Sequence, residues 1–184
     1  MDPVQALERA YQGLNATIVN VTPEQLTAPS CCDGWDLRAM LNHLLGAGWM
    51  FTLANQDQSV EEDAGDLVGD DVAAACSELA TANVASWRSG QGLEGERTYP
   101  FGTFPAAAAV MINLGEIAVH TWDVAKTTGQ AGAIDPEIAE MLLAFYGTMP
   151  MDAFRAGGAF GPEVPVGEDE PAPDRLLGLL GFQP

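Results

Sequence analysis

Apolar residues recur at three- and four-residue spacing through most of this chain, and that spacing constrains the fold more than any other feature. Leu7, Ala10, Tyr11, Leu14, Ile18 and Val21 predict a first helix from about Pro3 to Val21. Pro23 and the stretch Thr27-Ala-Pro-Ser break the pattern. A second helix is predicted from near Trp35 to about Ala54, with Asp36 as N-cap and Leu37, Met40, Leu41, Leu44 and Leu45 as its stripe. Asp70 or Asp71 is placed to cap a third, with Val72, Ala75, Leu79, Ala82 and Trp87 inward. The fourth runs from about Pro105 to Thr128, started by a proline and stopped by Gly129.

Between these helices lie an acidic loop from Gln56 to Asp71 and a connector from Ser89 to Pro105. A connector that long in a bundle often lies against a site. Asp135-Pro136 opens a fifth helix ending near Met149-Pro150, and residues Gly157 to Pro173 read as extended. Asp174 to Leu180 reads as closing turns carrying Leu176, Leu177 and Leu180. Strand signals are weak, so the expected class is all-α: one domain over residues 1–184, with a four-helix core at about 3–152 and a tail at 153–184.

Charge excludes several functions. Seven basic residues face 26 acidic ones, a formal net charge of -19. No basic stripe exists to neutralise phosphates, so neither nucleic acid nor an anionic membrane surface is an expected partner. No apolar run is long enough to span a bilayer, and the acidic start MDPVQALERA does not read as a secretory signal. Cys31, Cys32 and Cys76 are an odd number with one vicinal pair, which suits a reducing cytoplasm better than a disulfide framework. The expected partner is a small molecule, and the protomer is expected as a monomer or homodimer.

The chain has two histidines. His120 follows Glu116 by four residues, so on a helix the two share a face. His43 lies within the second helix's apolar pattern, where it is expected to project inward and meet the fourth helix. Two imidazoles and a carboxylate suit Zn²⁺, Ni²⁺ or Fe²⁺ and leave coordination positions open. Hydrogen-bonded core histidines are the alternative reading of the same residues.

Two segments then resemble a known family. Ser30-Cys-Cys-Asp-Gly-Trp35-Asp-Leu-Arg38-Ala-Met-Leu-Asn-His43-Leu-Leu-Gly46 resembles the Cys-x-Gly-Trp-x-Val-Arg-x-Leu-x-x-His-Leu stretch of actinobacterial DinB-like proteins, which include the N-terminal domain of mycothiol-dependent maleylpyruvate isomerase. Gly115-Glu116-Ile-Ala-Val-His120-Thr-Trp122-Asp123-Val-Ala-Lys-Thr-Thr-Gly129 resembles the second signature, Glu-x-x-x-His-x-Trp-Asp-Leu-Ala-x-x-x-Gly. Phe160-Gly-Pro-Glu-Val-Pro-Val and Asp174-Arg-Leu-Leu-Gly-Leu-Leu-Gly resemble the tail of short, single-domain members. The resemblance implies a DinB-like four-helix bundle in which His43, Glu116 and His120 hold one divalent metal ion, usually zinc or nickel. It also implies a thiol cosubstrate such as mycothiol, used to isomerise a substrate or to attack an electrophile. Cys31 departs from the family's usual proline. The two-domain isomerase carries a further domain with a catalytic arginine that does not follow here, so maleylpyruvate isomerisation itself is not expected.

Three functions follow as alternatives: a thiol-dependent transferase or isomerase, a metal-dependent hydrolase, lyase or cyclase without thiol, and a noncatalytic metal or ligand binder. Asp123 is a candidate to orient a ligand imidazole, or else a surface or helix-pairing carboxylate. Trp35 and Trp122 are candidate pocket walls, with packing in the core as the commoner place for such rings, and Arg38 is either an anion contact or the partner of one of the many acids. Cys32 is a candidate fourth ligand or redox thiol, its thiolate favoured somewhat near a helix N-terminus, with inert burial the commoner outcome for such a cysteine.

Overall fold

This computed structural model describes residues 1–58, 65–89, 92–132 and 134–184; the parts of the two long connections at 59–64 and 90–91 lie outside the described residues. Contacts group the chain into two compact units, Met1–Gly132 and Ala133–Pro184.

The first unit contains α1 (Pro3–Ile18), α2 (Leu37–Ala54), α3 (Val72–Arg88), a hairpin of β1 (Glu96–Tyr99) and β2 (Gly102–Pro105), and α4 (Ala106–Thr127). Aspartates start three of these helices. Asp2 accepts from Val4 N and Gln5 N, Asp36 from Ala39 N, and Asp71 from Ala74 N. Each satisfies donors the first turn leaves without an intrahelical partner. At the far end of α4, Gly129 adopts φ +70°. Gln130 N then donates to Ala125 O and Gly129 N to Lys126 O, the paired bonds of a Schellman stop.

α1 and α2 each pack against both α3 and α4, giving the expected four-helix bundle. Its core includes Leu7, Leu14, Leu41, Leu45, Leu79, Trp87, Val110, Leu114 and Ile117, all 1% exposed or less. At Gly48 a side chain has no room: a Cβ there would sit 2.5 Å from Leu79 Cδ2, so the glycine lets α2 and α3 close. Asn83 on α3 ties the same place by donating to Gly48 O and Thr52 Oγ1.

The first helix stops at Ile18, short of Val21, and two larger details of this unit differ from the sequence reading. The buried face of α3 is Cys76, Leu79, Ala80, Asn83, Val84 and Trp87, while Val72, Ala75 and Ala82 are only partly covered. The connector after Ser89 contains a β-hairpin, with Glu96 opposite Pro105 and Tyr99 opposite Gly102. Arg97 and Tyr99 face inward, and Thr98 and Thr103 hydrogen-bond outside at 3.0 Å. An inward arginine breaks the apolar alternation that would have announced the strand.

The second unit holds α5 (Pro136–Tyr146), α6 (Met151–Ala156) and α7 (Ala172–Leu179), with α5 against α7. Asp135 caps α5. Leu176, Leu177 and Leu180 are buried as expected. Gly181, at φ +92°, packs so closely on Gly161 that a Cβ would lie 2.8 Å from its backbone. Among the described residues no helix is long and apolar enough to cross a membrane.

Candidate metal centre

The second and fourth helices bring His43, Glu116 and His120 together. Glu116 and His120 are one turn apart on α4, and Glu116 Oε2 is 3.3 Å from His120 Nε2. His43 Nε2 approaches the same oxygen at 3.3 Å. The two imidazole centroids are 5.2 Å apart with planes at 80°. His43 is less inward than its place in the stripe predicts. Its side chain is 43% exposed, against 9% for His120 and 27% for Glu116. The set is therefore closed on the α4 side and open at His43, where Trp35 lies 5.0 Å from the ring.

Glu116 Oε2 is enclosed, and at 3.3 Å its two imidazole neighbours are too distant for strong charge-assisted hydrogen bonds. Burial pushes the Glu116 pKa up, but the imidazoles of His120 and His43 outweigh it and hold the carboxyl well below its ordinary range. A tetrahedral ion with zinc-like bond lengths to nitrogen and oxygen sets its N and O ligands about 3.4 Å apart. The observed 3.3 Å contacts fit that edge better than they fit a strong charge-assisted hydrogen bond. The donor set and the orphaned oxygen thus fit a divalent cation.

The remaining sequence candidates take other places. Asp123 is fully buried, and its Oδ1 accepts from Cys31 N and Thr127 Oγ1, both at 2.9 Å. It anchors the turn before α2 to α4. His120 Nδ1 has no hydrogen-bond partner, so no bond from Asp123 orients that ring. Arg38 pairs with Asp66 and donates to Gly69 O at 3.0 Å, so its guanidinium secures a loop. Trp122 is about 200° round α4 from His120, is 7% exposed, and carries Lys126 Nζ 4.7 Å from its centroid. Trp35 adjoins the triad through its ring contact with His43. The Cys31 and Cys32 thiols are held protonated, in keeping with inert burial of Cys32 and against its thiolate. Burial first, and then the Asp123 carboxylate, push their pKa values up to about 11 and about 12.

Asn42, given no role by the sequence, holds the same loop as Arg38. Its Oδ1 accepts from Leu67 N at 2.7 Å and Val68 N at 3.2 Å, and its Nδ2 donates to Asp66. The polar residue beside His43 thus fixes the loop that follows α2, a task legible only from partners 24 to 26 residues away.

Residues 7–125 match the family described as mycothiol maleylpyruvate isomerase N-terminal domain. The chain belongs to that family. The mycothiol-dependent maleylpyruvate isomerase crystal structure superposes with a TM-score of 0.65 at 16% identity, covering 88% of this chain and 73% of that one. A mutant of the same isomerase gives 0.61 at 15% identity, over 77% and 66%. These likenesses establish a shared fold. Two uncharacterized proteins from two strains of Mycobacterium tuberculosis are each 27% identical across 98% of both chains. This family member therefore aligns end to end with relatives of its own length.

Proposed function

We propose that this protein binds one divalent metal ion through His43, Glu116 and His120, and that it uses a low-molecular-weight thiol, mycothiol first, against a small electrophilic metabolite. One observation carries the reading: an enclosed carboxylate oxygen with two imidazole nitrogens at 3.3 Å and one side open at His43. Membership in the mycothiol maleylpyruvate isomerase family supports the choice of thiol.

The bound ion supplies Lewis acidity, which favours a thiol's deprotonated form at neutral pH. The protein's residues do the rest. Glu116 gives the site a negative ligand, and the two neutral imidazoles leave the ion with net positive charge toward substrate. Glu116 and His120, one turn apart on a rigid helix, fix direction, and His43 closes the set from α2. Trp35, 38% exposed, presents an aromatic face beside His43 where an apolar part of the guest can rest. Gain comes mainly from orienting sulfur and carbon.

Charge defines the electrophile. Acidic residues outnumber basic ones 26 to 7, and Arg38 is engaged by Asp66. A neutral electrophile suits this protein better than a dianion. Turnover of a neutral reporter electrophile by the metal-loaded protein is expected to require mycothiol and to drop at least about 100-fold in His43→Ala, as for loss of a metal ligand. Equal turnover in that variant, or turnover indifferent to thiol, removes the proposal; the second result favours a hydrolase, lyase or cyclase instead.

A further inference from the structure

A second group of donors adjoins the triad. One donor atom each from Cys32, His120 and Asp123 lie within 4.8 Å of one another. Asp123 is fully buried, His120 is 7% exposed and Cys32 is partly buried. Cys32 Sγ is 3.5 Å from Asp123 Oδ2. A tetrahedral zinc ion with ordinary bond lengths to sulfur and carboxylate oxygen places those two atoms about 3.5 Å apart.

His120 supplies the independent observation. Its ring has two nitrogens on different edges. Nε2 faces Glu116, whereas Nδ1 is enclosed and without a partner. A buried ring nitrogen in that state is a ligand or donor waiting for a counterpart. Asp123 is held ready as well. Cys31 N and Thr127 Oγ1 both bind its Oδ1, which fixes the carboxylate plane and leaves Oδ2 turned to Cys32.

We propose that Cys32, His120 and Asp123 form a second cation site, selective for a thiophilic divalent ion such as Zn²⁺, with the His120 ring bridging it to the triad. Sulfur, nitrogen and oxygen donors together select zinc-like ions over magnesium or calcium. On binding, Cys32 releases its S–H proton and His120 its remaining ring N–H proton to solvent, so that the ring bridges the two ions as an imidazolate. The S–H···O contact with Asp123 is replaced by one sulfur–metal and one oxygen–metal bond, and nothing is oxidised or reduced. The proposal goes beyond the thiol reaction, which needs only the triad. The two sites share His120 alone, so their failures separate.

The test is a Co²⁺ titration of the chelator-stripped full chain, followed by sulfur-to-cobalt charge-transfer absorption, then displacement by Zn²⁺. Two equivalents are expected, one of them carrying the sulfur band. C32S should saturate at one equivalent with no band. His43→Ala should also keep one equivalent, but with the band. Cys31→Ser should retain both, and D123N should weaken the band-carrying step at least about 10-fold. Melting of each ion-free variant checks folding, and D123N with His43→Ala decides the matter should C32S not fold. Saturation of the wild type at one equivalent, or a sulfur band that survives in C32S, overturns the second site. A single equivalent whose band vanishes in C32S also overturns it, by making Cys32 a ligand of the triad's own ion.

Discussion

Arg97 and Glu116 are two charged groups set into the same unit, and they are treated in opposite ways. Arg97, 8% exposed, donates to Asn55 Oδ1 at 2.8 Å and to the carbonyls of Gly92, Glu94 and Glu96 at 3.0–3.1 Å. Its charge is spread over neutral oxygens fixed by the hairpin and by α2. Glu116 has an enclosed oxygen beside two imidazole nitrogens and no accepted hydrogen bond. A buried charge that serves architecture is saturated by the chain itself, because an unmatched one is costly. Glu116 is matched only in part, and we read the remainder as the share an incoming cation takes.

The sharpest way to break this contrast is to remove each charge in turn. E116Q should lose at least about 1,000-fold in affinity for the triad's ion, about 4 kcal/mol. Its ion-free melting temperature should fall by no more than a few degrees, because the carboxylate charge that the two imidazoles favour is replaced by an amide of the same shape. Competition titration and ion-free calorimetry read the two halves. Arg97→Met should do the reverse. It strands several oxygens and should cost about 2–4 kcal/mol in denaturant unfolding, with metal affinity within about twofold of wild type.

Adding the ion sharpens the contrast further. In C32S protein, with free Zn²⁺ at 100 times the triad's dissociation constant, unfolding should become harder by about 2.7 kcal/mol with or without Arg97→Met, but not with E116Q. The smallest effect belongs to His43→Ala without metal. The side chain is 43% exposed, so unfolding free energy should move by no more than about 0.5 kcal/mol. A larger loss would mean that His43 is structural.

What the sequence revealed follows the range of the interactions involved. Helices α1, α2 and α4 were legible because stripe, aspartate cap and glycine stop are all local. The Glu116–His120 pair was legible because four residues is one helical turn. The buried face of α3 was misread where Asn83 is inward, since its partners Gly48 and Thr52 lie 35 and 31 residues away. The hairpin was missed because its inward positions include Arg97, whose burial depends on carbonyls that only the folded turn brings together. Asp123 was a candidate either to orient an imidazole or to pair helices, and the partner it holds, Cys31 N, is 92 residues distant in the chain. The raised Cys32 pKa comes from burial and from that same distant carboxylate, against a local helix N-terminus that pulls the other way.

The most direct measurement is a calorimetric Zn²⁺ titration of chelator-stripped C32S protein, with and without His43→Ala. The account predicts one tight equivalent in the first protein and its loss in the second, with both folded. Undiminished binding after His43 is removed, or no binding in either, contradicts the convergence of these three side chains on a cation.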